Sequence, residues 1–304
     1  MEATTKTKPN PLIGLAEYGQ SQWLDYIRRN LITSGELQRL IDEDGLKGVT
    51  SNAAIFEKAL SAGDDYKDFI RENAATAKNA LALYERIAVR DIQEAADILK
   101  SVYDRTNKRD GYISLEVSPA LADDTEKTIE EARRLWQIVN RPNLMVKVPA
   151  TEAGVPAIEQ LISEGININV TLLFAQDAYA KVAEAYVSGL EKRAAETGDL
   201  SAVTSVASFF VSRIDSLIDL QIEEKLKDAN GAEKRRLKIC AGALPLRTRK
   251  WLIKFTKKCF RANAGNHWRQ KERRRSEFCG LRRERKTPVT AMFYTSKNSS
   301  AKTL

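Results

Sequence analysis

Lys147 is the residue in this chain whose surroundings most narrowly define a chemistry. It stands in "LMVKVPAT", inside an apolar run. Read as a strand, the run puts Met145 and Lys147 on one face and Leu144, Val146 and Val148 on the other. A lysine turned into a buried face is costly unless it is paired or neutral. Burial lowers the basicity of an amine, and a neutral amine attacks carbonyls to form a Schiff base. The alternative is a lysine that snorkels to the rim, or one paired with a carboxylate for structural reasons alone. Two carboxylates sit in comparable positions, Glu116 in "ISLEVS" and Asp25 in "QWLDYI". They are either the acid and base that Schiff-base chemistry needs for its proton transfers, or the charges that balance the lysine.

Further polar residues recur near the C-terminal ends of other apolar runs. They are Asn52 in "GVTSNAAIF", Asn169 and Thr171 in "INVTLLF", and Ser208 in "ASFFVSR", with Arg213 just beyond. Each has a plain structural role open to it. Asn52 opens a helix and fits an N-cap. Asn169 and Thr171 can bond neighbouring backbone, and Arg213 can pair with Asp215 or Asp219. Arg213 can also hold a phosphate beside helix N-terminal amides. Their recurrence, one polar residue or pair in strand after strand, is what points to a shared site.

The elements that must position these residues alternate along the chain. "SQWLDYI", "LKGVTS", "GYISLEVS", "NLMVKVPA", "ININVTLLF" and "AVTSVASFF" read as six short strands. Helical spacing fills the intervals. It covers "NAAIFEKALSAG", Lys78 to Arg105, "DDTEKTIEEARRLWQIVN", "AGVPAIEQLISEG" stopped by Gly165, "AQDAYAKVAEAYVSGLEKRAAETG" and "SLIDLQIEEKLKDANG". Alternation of this kind predicts an α/β fold with parallel strands and right-handed crossovers. Strands buried on both faces fit a doubly wound sheet or a closed barrel. No glycine-rich nucleotide-binding motif favours the former. In an α/β barrel the C-terminal strand ends converge on one active-site mouth.

Charge divides the chain in two. The first 236 residues hold thirty basic and thirty-eight acidic residues, a net −8; from Leu237 onward there are nineteen Lys or Arg and three Glu, a net +16. The three cysteines, Cys240, Cys259 and Cys279, and the single histidine, His267, also lie in the basic part. Their wide spacing fits no zinc site, which needs close pairs, and free thiols are expected. No apolar run reaches membrane-spanning length and the first residues lack an apolar signal core, so a cytoplasmic protein is expected. After Gly231 no period of 2 or 3.6 is sustained.

Six segments in order, "QSQWLDYIRR", "GVTSNAAIF", "GYISLEVSPALADDT", "LMVKVPATEAG", "INVTLLF" and "SVASFFVSRID", resemble the bacterial transaldolases, over about residues 10–235. The resemblance implies a parallel (β/α)8 TIM-type barrel, incomplete here with about six strands in residues 1–236. It implies transfer of a dihydroxyacetone unit from a ketose phosphate to an aldose phosphate, in the non-oxidative pentose phosphate pathway. Sugar phosphates would be the partners, with no metal or organic cofactor, no nucleic acid and no membrane. By position, Lys147 becomes the Schiff-base lysine. Glu116 and Asp25 become the proton-transfer carboxylates, Glu116 through a water held by Thr171. Asn52 and Asn169 would hold substrate hydroxyls, and Ser208 and Arg213 would contact the phosphate. The family usually reads T-S-N-P where this chain has Ala53 after Asn52, which loosens the backbone beside Asn52 without removing its side chain.

The part from Leu237 to Leu304 departs from the family altogether. Back-translated and read one base earlier, "CGLRRERKTPVTAMFYTSKNSSAK" permits L-W-A-S-T-G-T-K-N-P-R-Y-S-D-V-L-Y-V-E-E-L-I-G-K, which resembles the expected continuation. Met292 and Phe293 leave no codon choice at the valine of the D-V pair. Residues 237–304 therefore read as an out-of-frame tail without a defined domain, poor in apolar periodicity and expected to pack badly. The competing reading is a basic tail that binds nucleic-acid phosphates by charge and releases them with salt.

Overall fold

The computed structural model describes residues 10–201, 203–240, 250–251, 254 and 290–293. The described chain divides into two compact units. The first comprises Met1–Leu121, Glu126–Val148 and Gly165–Ile168; the second comprises Ala122–Thr125, Pro149–Glu164 and Asn169–Leu304.

In the first unit, strands β1 (Gln22–Asp25), β2 (Leu46–Thr50), β3 (Tyr112–Glu116) and β4 (Leu144–Pro149) lie side by side in chain order. Every pairing is parallel, as the alternation of strand and helix requires. Parallel neighbours need long crossovers. The crossover from β2 to β3 is three helices long, Ala53–Ser61, Lys67–Asn73 and Ala80–Arg105. The last begins at Asn79, whose side chain accepts a hydrogen bond from the Ala82 amide. It buries Ile87, Ala88, Ile92, Ala95, Ala96, Leu99, Val102 and Tyr103, an apolar stripe at helical spacing. One charged residue, Asp91, lies within that stripe and is buried with it.

The turn from this helix into β3 is built at Gly111, where φ is +86°. A Cβ there would meet the backbone of Tyr103 and sit 2.8 Å from the Leu99 carbonyl oxygen, so glycine is required on both counts. A buried asparagine ties the helix to the turn. Asn143 Nδ2 donates to the Ala96 and Gly111 oxygens, each at 2.8 Å. Asn167 repeats the device one strand later, donating to the Pro142 and Leu144 oxygens at 3.1 Å.

The second unit carries β5 (Ile168–Leu173), β6 (Ser205–Phe209) and β7 (Thr290–Phe293), again in chain order. Helices Gly154–Ser163 and Gln176–Glu196 pack closely, because Gly189 lets the backbone at Glu159 approach. Helix Val211–Asp228 follows β6 after a single residue.

All six expected strands are present, parallel and in the order of an incomplete (β/α) barrel. Two features differ from the sequence expectation. Residues Gly231–Cys240 form a helix although no period was read there. Ala, Glu, Lys, Arg and Leu are strong helix formers. The helix buries none of its residues, so it follows from propensity and leaves no amphipathic trace. The second feature is β7, which pairs in parallel with β6 from Val206↔Thr290 to Phe209↔Phe293. The rest of the basic tail, with Cys259, Cys279 and His267, falls outside the described residues, apart from residues 250–251 and 254.

Candidate active site

The strand register decides which side chains of the first unit meet. Asp25 aligns with Thr50, Thr50 with Ser114, and Ser114 with Met145. Two residues further along the strands, Glu116 aligns with Lys147. Aligned residues of parallel neighbours project to the same face, as do residues two apart in one strand. Asp25, Glu116 and Lys147 therefore share one face. Every residue of β4 is buried, and Lys147 is 3% exposed. Its Nζ donates to the Ser51 carbonyl oxygen at 3.1 Å, and Ser51 is itself tied down by a 2.7 Å bond from its Oγ to the Ser114 oxygen. The lysine is thus anchored inside the sheet and does not snorkel to a rim.

Glu116 reports the charges around it. Burial holds its carboxyl above the usual range; the Lys147 ammonium opposes this, the Asp25 charge adds to it, and a hydrogen bond from the Ala53 amide opposes it. The carboxylates and the lysine predicted from sequence are thus electrostatically coupled in the folded chain. Tyr84 joins the group. Its phenol is pushed up by burial and by the Glu116 charge, and its ring meets Phe56 edge-on at 5.9 Å.

Asn52 takes the structural role open to it. It is the N-cap of helix Ala53–Ser61, and its side-chain oxygen accepts from the Ile55 amide at 2.9 Å. Extended at φ −157° and ψ 169°, it continues the face of Thr50.

In the second unit, Asn169 and Thr171 are buried on β5 and Ser208 on β6. Ser208 Oγ lies 2.6 Å from Asn169 Oδ1 and donates to it. The Thr171 carbonyl accepts from the Ala150 amide at 2.8 Å. Immediately after Thr171 the chain turns left-handed at Leu172, with φ +58°. Phe174 and Phe210 then stack at 5.1 Å with planes 19° apart. Arg213 is exposed in the first turn of helix Val211–Asp228, its guanidinium 5.3 Å from the Phe210 ring centre.

Sequence reading missed four contributors in the first unit, Tyr84 and three others. Ser51 acts through its carbonyl, which any residue carries. The Ala53 amide, likewise generic, bonds Glu116. Thr50 was findable. It lies two residues before Asn52 and so shares its face, and its hydroxyl is fully buried with no hydrogen-bond partner among the described residues.

Comparison with known proteins decides the family of the chain. Residues 22–241 match the sequence model of the family described as transaldolase/fructose-6-phosphate aldolase. The chain belongs to that family. It is 50% identical over 217 residues to "Transaldolase 2" of Nostoc sp., covering 71% of this chain and 57% of that protein. It is 49% identical over 218 residues to "Transaldolase" of Trichodesmium erythraeum, covering 72% and 57%, and 48% identical over 217 residues to that of Saccharopolyspora erythraea, covering 71% and 59%. The chain thus spans about three fifths of the length of these relatives. Among the described residues no helix is long and apolar enough to cross a membrane, and no group of three or more His, Cys, Asp and Glu could hold a metal ion.

Proposed function

We propose that this chain carries the Schiff-base half of a transaldolase, acting on ketose and aldose phosphates in the pentose phosphate pathway of the cytoplasm. The observation that carries the reading is Lys147, buried on the face it shares with Glu116 and Asp25. The amine of Lys147 adds to the C2 carbonyl of a ketose phosphate, and loss of water gives an iminium. Asp25 takes the proton of the C4 hydroxyl as the C3–C4 bond breaks. The bonding electrons pass to the iminium as an enamine and the aldose phosphate leaves. The enamine then adds to the acceptor aldehyde, which takes a proton as the new bond forms. Water, with Glu116 moving its proton, finally releases the product ketose and regenerates the amine. Asn52, Asn169, Thr171, Ser208 and Arg213 keep the roles that the family resemblance gives them.

The test is borohydride trapping. Incubation with fructose 6-phosphate and borohydride should leave a reduced secondary-amine adduct on the peptide containing Lys147, and none in Lys147→Met. A folded chain that gives no adduct would end the reading.

A second reading concerns the chain as written. On this alternative, residues 237–304 are an out-of-frame tail on a barrel portion of residues 1–236, and the polypeptide is an inactive truncated fragment of its parent enzyme. The change of net charge after residue 236 and the end of the family match at residue 241 support this. Resequencing the coding DNA across Ala232 to Gly242 tests it. A missed base restores the full enzyme, and a confirmed frame leaves a shortened one.

A further inference from the structure

A charged residue in the middle of a buried helical stripe needs a reason. Asp91 is 1% exposed, between Ala88 and Ile92 in the apolar face of helix Ala80–Arg105. An apolar residue of similar size would serve stability as well or better. The carboxylate does something leucine cannot, because it binds two groups at once. Tyr66 Oη donates to its Oδ2 at 2.7 Å, and Arg29 Nη1 donates to its Oδ1 at 2.9 Å. Glu94, one turn along, takes the other nitrogen of Arg29 at 2.5 Å.

Tyr66 faces the same segment. Its ring is packed with Ala59 and Ile87, and its hydroxyl accepts the backbone amide of Arg29 at 2.8 Å. That amide opens helix Arg29–Thr33, whose N-cap Arg28 makes no side-chain capping bond. The tyrosine therefore does the work of a cap from another part of the chain. Its neighbour Asp65 holds Arg28, accepting from Nε at 3.1 Å and Nη2 at 2.6 Å.

Apart from the bond between Tyr66 and Asp91, all of these bonds end on residues 28 and 29. Asp25 ends β1, the first strand of the sheet order, and only Tyr26, Ile27 and Arg28 separate it from Arg29. The four steps from Asp25 to Arg29 span at most about 14 Å. Ile27 is fully buried and Arg28 is extended, so that short stretch has little slack. Asp25 itself is exposed at the end of its strand.

We infer that Tyr66, Asp91 and Asp65 form a clamp on residues 28–29 that positions the Asp25 carboxylate against Glu116 and Lys147. Tyr66 and Asp91 are positioning residues, since neither touches the reacting atoms. The inference rests on the proposed role of Asp25, and the experiment separates the two.

The full-length chain is labelled with 13C at the glutamate carboxyls, and Glu116 is assigned with Glu116→Gln. Its titration midpoint is followed in the wild type, Asp25→Asn, Tyr66→Phe and Asp65→Asn. Exchange of the Arg29 amide is measured alongside. Asp25→Asn should lower the Glu116 midpoint, because the Asp25 charge helps to raise it. Tyr66→Phe should lower it in the same direction and speed exchange of the Arg29 amide by about tenfold, the loss of one hydrogen bond. A folded Tyr66→Phe with faster exchange and an unmoved midpoint makes the clamp purely structural and overturns the inference. Unchanged exchange overturns it also. An unmoved midpoint in Asp25→Asn instead removes Asp25 from the site and sinks that part of the proposed function. Should Tyr66→Phe fail to fold, Asp65→Asn, a partly exposed change that releases Arg28, gives the midpoint reading, and an unmoved midpoint there overturns the inference.

Discussion

Replacing Gly48 by alanine tests whether β1 and β2 are as close as the site requires. Gly48 aligns with Trp23, two residues before Asp25. A Cβ at position 48 would run into the indole, lying inside contact distance of Cε2 and Cδ2 and 2.9 Å from Cε3. Indole carbons cannot bend away as the tip of a flexible chain can, so the ring or β1 has to withdraw by roughly 1 Å. Overpacking of this kind costs about 1–3 kcal/mol. With a urea dependence of about 2 kcal/mol per molar, the unfolding midpoint should fall by roughly 0.5–1.5 M. Truncating the ring should remove the clash, so Trp23→Leu combined with Gly48→Ala should show a coupling of about 1 kcal/mol or more in a double-mutant cycle. A midpoint unchanged in Gly48→Ala, or changes that add within about 0.5 kcal/mol, would refute the packing of Trp23 across Gly48. The placement of Asp25 would have to be reconsidered with it.

Other perturbations have equally definite outcomes. A carboxyl raised by folding contributes stability that is full below its ordinary value and lost as pH rises through the folded one. Glu116 is such a group, raised above the ordinary 4.5 chiefly by burial. Stability should therefore decline from about pH 4.5 upward. Lys147→Met, which removes the opposing ammonium, should steepen the decline, and Glu116→Gln should abolish this component in urea midpoints measured against pH. Asn143→Ala removes two buried hydrogen bonds and should lower unfolding free energy by roughly 1–3 kcal/mol; a loss under about 0.5 kcal/mol would contradict the bonds to Ala96 and Gly111. Gly154→Ala places a Cβ against the Pro149 carbonyl oxygen. This backbone contact cannot yield cheaply, so a soluble, wild-type-like variant would argue against the tight turn after β4.

Much of this architecture is readable from local pattern. The run "LMVKVP" announces a strand and identifies Lys147 as its one inward charge. The helix Ala80–Arg105 is legible from an apolar stripe that recurs over many turns. Asn79 and Asn52 occupy N-caps because a short polar side chain before a helical run can reach its free amides. Legibility fails where packing is absent or distant. The helix Gly231–Cys240 buries nothing and has no stripe to read. Asp91, seen in sequence, is one more polar residue in a long helix; its partners Arg29 and Tyr66 lie 62 and 25 residues away.

By itself the sequence determined the element types, the parallel α/β class and the identities of Lys147, Glu116 and Asp25 as candidates. These depend on periodicity and residue chemistry, which are local. Only the tertiary structure decided that the three share a face, that Lys147 is anchored to the Ser51 carbonyl, and that residues 28–29 are held from helix Ala80–Arg105. The reason is register. A slip of one residue between β3 and β4 would turn Lys147 to the opposite face from Glu116. Alternation along one strand says nothing about its alignment with the next; that follows from the long crossovers, the buried asparagines and the glycines that let the strands come together.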